Sequence, residues 1–205
     1  MRIVMFYHSV LSDWNHGNAH FLRGIATELI TRGHQVAIYE PRDAWSLQNL
    51  LAEQGEAPLG KFLTAYPRLS AKRYDVATLD LDEALDGANL VLVHEWNDRD
   101  LVRRIGQHRA RHSYPLLFHD THHRLVTDTD SMADYDLSDY DGVLACGEVL
   151  RQLYELARFA NQAWTWHQAA DTRVFRPLPP ETDSGQLVWV GIGAMTSGAR
   201  SCASF

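Results

Sequence analysis

Histidines raise the first chemical question. The chain carries 11 of them in 205 residues, and His8, His16, His94, His119, His122, His123 and His167 all fall just past short apolar runs. Imidazole changes charge near neutral pH, so such residues serve as general acids, general bases or metal ligands. His119 is followed directly by Asp120, a spacing that suits a general base, or a contact to reacting atoms, with an orienting carboxylate. The competing reading is a strand-end histidine bonded to a backbone carbonyl. The run His119-Asp120-Thr121-His122-His123 also offers metal donors. No distant ligand cluster of recognisable spacing accompanies it, so no metal is expected. A second place for chemistry is the turn His16-Gly17-Asn18. It opens a helix, and a helix N-terminus favours anions.

Both places depend on the elements that hold them. Residues 2–8 form an apolar run bounded by polar residues, the pattern of a buried strand. Phe21, Leu22, Ile25, Ala26, Leu29 and Ile30 repeat with the period of a helix face, Gly33 closes that helix, and 35–40 reads as a second strand. This is a right-handed βαβ unit with its turn at the carboxyl end of the first strand, where open α/β sheets bind ligands. Further strands are expected at 89–93, 115–118, 142–145 and 163–167, with helices at 43–54, 98–111 and 148–159. Residues 81–85 read as a short amphipathic turn, and 55–73 is poorly patterned apart from Phe62, Leu63 and Tyr66. The fold class is therefore α/β, a Rossmann-like parallel sheet with helices on both faces. Loops at one sheet edge would gather the polar strand ends into one cleft.

Composition excludes several classes. A hydrophobic content of 45% with 22% charged residues is globular, and a net charge of −7 argues against nucleic acid or an anionic membrane as partner. No apolar run is long enough for a membrane span or a signal peptide, so a cytoplasmic protein is expected. Cys146 and Cys202 form no disulfide framework. Asp128, Asp130, Asp134, Asp136, Asp139 and Asp141 form an acidic loop, but Met132 and Ala133 stand where a calcium loop needs Asp or Asn and then Gly. The loop reads as a solvated connection. Gly191-Ile192-Gly193 begins like a dinucleotide fingerprint, yet Thr196 occupies its sixth position. P-loop, hydrolase-elbow and Cys-x-x-Cys patterns are absent from the sequence.

Three stretches together resemble the N-terminal half of GT-B glycosyltransferases of the large group 1 kind. The first runs from His16-Gly17-Asn18-Ala19-His20-Phe21-Leu22 to Arg32-Gly33-His34-Gln35-Val36, similar to the family's glycine loop and helix end. The second is 143–148 with the helix after it. The third is Ala169-Ala170-Asp171-Thr172-Arg173-Val174-Phe175-Arg176-Pro177, similar to the segment that leads into the donor domain. The likeness leans toward the CgeB-like, spore-protein-type branch. It implies a nucleotide-sugar donor as substrate, no cofactor and no essential metal, and an acceptor that is a small molecule or glycan. His119 would lie beside the reacting sugar carbon, next to Asp120. His16, Gly17 and Asn18 would form the donor-phosphate loop, although Asn18 stands where the common pattern has a second glycine. His94, Glu95, His122 and Glu148 are the acceptor-cleft candidates. Alternatives are a non-catalytic glycan- or partner-binding half-domain and a nucleotide-sugar epimerase fragment.

The resemblance divides the chain into an acceptor-side domain at 1–177, a linker and first donor-domain strand at 178–191, and a tail at 192–205. That tail is rich in Gly, Ala and Ser and has no helical or strand period. Back-translation with one base added after the Gly191 codon reads GNWGDDER and onward, the continuation the resemblance suggests. A frameshifted, disordered tail is therefore expected, on a truncated chain that is inactive alone. Sequencing the gene across the Gly191 codon tests this, and an intact frame with no donor-domain code downstream rejects it.

Overall fold

Short runs of Val, Ile, Leu and Phe pair edge to edge, all in parallel. The computed structural model describes residues 1–177; the predicted strand at 187–190, the glycine pair around Ile192 and the tail lie outside the described residues. The chain runs β1 (Arg2–Phe6), α1 (Asn18–Thr31), β2 (Gln35–Pro41), α2 (Trp45–Gln54), α3 (Ala57–Ala65), β3 (Ala71–Tyr74), α4 (Leu81–Leu85) and β4 (Leu90–His94). It continues through α5 (Arg99–Arg109), β5 (Leu116–Asp120), α6 (Arg124–Thr127), α7 (Thr129–Ala133), β6 (Gly142–Ala145), α8 (Glu148–Leu156) and β7 (Ala163–Thr165). The sheet order is β3-β2-β1-β4-β5-β6-β7. Successive strands move outward from β1 to one side, then cross back to the other. The switch point therefore lies between β1 and β4, where a crevice opens at the carboxyl ends.

Period-two alternation in β1 explains why both sheet faces are covered. Val4 and Phe6 join a core with Leu101, Val102 and Ile105 of α5 and Leu150 and Tyr154 of α8. Ile3 and Met5 point the other way, into a core with Leu22 and Ala26 of α1. A strand buried on both faces needs such a continuous apolar run. The expected α/β class, with helices on both faces, is what the structure has.

Several boundaries differ from the sequence reading. β4 and β5 run on through His94 and through His119 and Asp120, so these residues are ladder members and not loop residues. Polar side chains are tolerated there because the ladder satisfies their backbone and each side chain finds buried partners. β3 was not expected. Its sequence, Ala71-Lys72-Arg73-Tyr74, has no apolar alternation because it is an edge strand paired to β2 alone, and charged residues suit an edge. The acidic loop after β5 contains α6 and α7 and buries Met132, Tyr135, Leu137 and Tyr140, so it is a packed connection whose charges face outward.

The loop from Tyr7 to Gly17 is pinned from two sides. Glu40, at the end of β2, is fully buried and its Oε2 accepts the Val10 N–H at 2.9 Å. Burial pushes its carboxyl up, and the amides of Val10 and Leu11 pull it back down. Arg23 of α1, also buried, donates to the carbonyls of Val10 at 2.8 Å and Leu11 at 3.1 Å and pairs with Asp13 at 3.0 Å. Its guanidinium also lies over the rings of Phe62 and Tyr66. Replacing Arg23 by Met keeps the packing stem but strands two buried carbonyls. We expect a loss of about 3 kcal/mol in urea unfolding, with faster amide exchange confined to residues 8–16. A change under about 0.5 kcal/mol, as is usual for a surface substitution, removes the clamp role.

Candidate functional site

The crevice at the switch point is a cavity of about 610 Å³ lined by Asn15, His16, Gly17, Asn18, Trp45, Trp96, Thr121, His122 and Gln168. It draws on the β1–α1 loop, the start of α2, and the segments after β4 and β5, all at the carboxyl edge. Its size falls in the range of small-molecule sites. Trp45 and Trp96 form adjoining aromatic walls, with ring centroids 6.0 Å apart and planes at 55°. His8 stacks behind Trp45 at 4.9 Å, and the Arg124 guanidinium lies 4.7 Å from the Trp96 ring centroid. Both indoles are thus held from behind, and each leaves part of its surface uncovered.

The polar side of the cleft is one connected network. Thr121 Oγ1 stands 2.9 Å from Glu95 Oε1, 2.9 Å from His94 Nε2 and 2.7 Å from Asn18 Nδ2. A hydroxyl has one proton, which goes to the carboxylate, so the hydroxyl accepts from the Asn18 amide and from His94 Nε2–H. That assigns His94 the Nε2-protonated neutral form, leaving Nδ1 to accept the Trp96 N–H at 3.4 Å. Glu95 also accepts the Thr121 N–H at 2.8 Å and an ion pair from Arg124 at 2.7 Å. Asn18 Oδ1 accepts from the Gln168 amide, which ties the residues beyond β7 to the start of α1. A Cβ on Gly17 would meet nothing within 4 Å, so the approach to the α1 N-terminus is open.

The expected site residues separate into three groups. His16, Gly17, Asn18 and His122 line the cavity. His94 and Glu95 lie directly beneath it, fully buried, and act on it through Thr121. His119 and Asp120 are also fully buried, and neither presents surface to the cleft. His119 Nδ1 is 2.7 Å from Tyr7 Oη, its Nε2 has no partner among the described residues, and Phe21 and Trp166 pack against its ring. Asp120 accepts from the His122 N–H at 2.9 Å and from Tyr154 Oη at 2.7 Å. Glu148 stands apart at the start of α8, bound to Arg151, Gln152 and Thr165, and those bonds hold its carboxyl down to about 2. Sequence reasoning passed over Asn15, Trp45, Trp96, Thr121 and Gln168. Trp45 fits the apolar face of the helix expected at 43–54, and its place at the first turn of α2, after a strand end, is the available signal.

No family model matches the chain, and no curated protein sequence matches it. Three solved structures do show a likeness. One is an alpha-glucosyltransferase in complex with UDP and a 13-mer DNA containing an HMU base, at 11% identity and TM-score 0.47, over 83% of this chain and 43% of that one. Another is an alpha-glucosyltransferase (AGT) in complex with UDP, at 12% identity and TM-score 0.43, over 75% and 39%. The third is a 5-formyl-3-hydroxy-2-methylpyridine 4-carboxylic acid 5-dehydrogenase, an NAD⁺-dependent dismutase, at 16% identity and TM-score 0.29, over 77% and 62%. This chain therefore spans under half the length of the two glucosyltransferases. No described helix is long and apolar enough to cross a membrane.

Burial sets the electrostatics of the layer under the cleft. Desolvation pushes His8 and His16 down to about 4, His119 down to about 3, and His94 well below 6.5. Desolvation pushes Asp120 the other way, up to about 7, and the neighbouring Glu95 charge adds to it. Each depressed histidine stays neutral in the fold where the unfolded chain would be protonated. Stability is therefore lost as pH falls from 6.5 towards 4, at about 1.4 kcal/mol per pH unit for each such ring. Asp120 has the opposite sign, since the fold holds its proton up to about pH 7. Thermal melts should show a steep loss of Tm between pH 6.5 and 4.5 that is shallower in His94→Gln. A flat Tm over that window contradicts the neutral, buried state of these rings.

Proposed function

We propose that this chain is the acceptor-side part of a GT-B-type glycosyltransferase and that its cleft holds sugar rings. The observation that carries this reading is the pair of tryptophan walls facing an edge of amides and a histidine. Pyranose rings present apolar C–H faces to indoles and hydroxyl rims to amides, and Asn15, Gln168 and His122 supply such partners here. The resemblance of the three sequence stretches to that family points the same way. In this reading the open α1 N-terminus at Gly17 and Asn18 lies toward the diphosphate of a nucleotide-sugar donor. The acceptor is a glycan or small molecule and not a nucleic acid, in keeping with the net charge of −7. His119 and Asp120 take a positioning part. Asp120 orients His122 through its N–H, and His119 supports the strand end beneath Thr121.

A second reading, a glycan-binding half without catalysis, draws on one specific observation: the carboxylates and His119 are sealed away from the cleft. Titration of tryptophan fluorescence with maltose and with UDP-glucose tests the binding they share. Saturable quenching is expected, and Trp96→Ala should weaken it about tenfold, or about 1.4 kcal/mol. Absence of quenching by both compounds rejects a sugar-binding cleft. Release of UDP from UDP-glucose by this chain with maltose present would favour the catalytic reading over the binding one and overturn the expectation that the chain is inactive alone.

A further inference from the structure

We propose that Asp82, His108 and His112 form a binding site for a divalent transition-metal ion of the zinc class. The site lies at the opposite end of the strands from the cleft. α4 leads into the first residue of β4, and α5 runs back antiparallel to the strands, so both meet at the amino edge. Among the described residues, this is the group of three side chains whose donor atoms all lie within 4.8 Å of one another.

Local geometry explains how the donors converge. His108 and His112 are four residues apart, the spacing that places two imidazoles on one helical face. α5 ends at Arg109, yet Ala110, Arg111 and His112 continue to donate backward to Gly106, His108 and Arg109. The coil is therefore prolonged by a turn, and the His112 ring stacks on His108 with centroids 4.0 Å apart and planes within 7°. Stacked parallel rings cannot both aim an in-plane lone pair at one ion, so the exposed His112 ring turns out of the stack to bind it. His108 Nε2 lies 3.1 Å from Asp82 Oδ1. Two donors on one tetrahedral zinc, each at about 2.0–2.1 Å, stand roughly 3.3 Å apart. The separation is thus close to the one a shared ion requires.

His108 has the support expected of a ligand. Its side chain is 5% exposed, which fixes the ring, whereas Asp82 is 83% exposed and free to adjust. Its other nitrogen, Nδ1, is 2.8 Å from Tyr114 Oη, a partner that can accept or donate and so serves either tautomer. An open cavity of about 370 Å³ lined by Asp82, His108, His112 and Tyr114 leaves room for water as a fourth ligand. Three protein ligands with imidazole dominant suit zinc, nickel or copper and not calcium or magnesium.

The full chain, stripped with a chelator, is titrated with Zn²⁺ by calorimetry and followed by thermal melting. Asp82→Asn combined with His112→Ala changes two exposed side chains and spares the core. This variant should lose one equivalent of zinc, at least about tenfold in affinity, together with the zinc-induced rise in Tm. His122→Ala with His123→Ala removes the histidine pair at the cleft and should leave that equivalent in place. Zinc binding unchanged in the first variant, or lost only in the second, overturns the proposal, as does wild-type protein that binds no zinc.

Discussion

A buried carboxylate and a buried guanidinium hold the β1–α1 loop, and the cleft depends on them. Glu40 reaches the amides of Val10 and Leu11 from β2, while Arg23 reaches the carbonyls of the same two residues from α1. Neither charge is cheap to bury, and each is stabilised by donors or acceptors the loop must present in one conformation. The loop therefore has a fixed path. That path sets His16 against Trp45 and leaves the α1 N-terminus open beside Gly17. Glu40 occupies the strand-end position at which many dinucleotide-binding sheets hold a ribose hydroxyl. Here it is spent on the backbone of its own chain.

Above that foundation the cleft is built in two layers with different physics. The open layer has indoles, amides and one accessible histidine, which suits ligands with alternating apolar and hydroxylated surface. The sealed layer beneath it holds His94, Glu95, His119 and Asp120 with little or no contact with water. Charge there is costly, so the histidines are neutral and Asp120 keeps its proton towards neutrality. Glu95 pairs with Arg124. Thr121 joins the layers because its hydroxyl meets His94, Glu95 and Asn18 at once.

The amino edge of the sheet follows a separate logic. His108 closes the end of α5 against Tyr114, and Asp82 and His112 reach the same spot from solvent. Nothing in this group touches the cleft residues. The protein thus presents indoles and amides at one end of its strands and an imidazole-carboxylate group at the other.

By itself the sequence determined the fold class and most elements, because local periodicity encodes them: apolar runs of strand length, the helix face from Phe21 to Ile30, and Gly33 at a φ of 84° past the end of α1. It also placed the cleft, since β1, its turn and α1 read directly as a βαβ unit. It misjudged where β4 and β5 end, because polar His94, His119 and Asp120 look like loop residues until neighbouring strands supply their hydrogen bonds. It missed β3, whose edge position removes the apolar signal. Only the tertiary structure decided which histidines face solvent and which are sealed, because that depends on Tyr7, Phe21 and Trp166 closing over His119 from distant parts of the chain. The same holds for the two tryptophan walls and for Asp82 meeting His108 across 26 residues. Periodicity reports which side of an element is buried. What that side is buried against is settled by packing between elements, and no local pattern carries it.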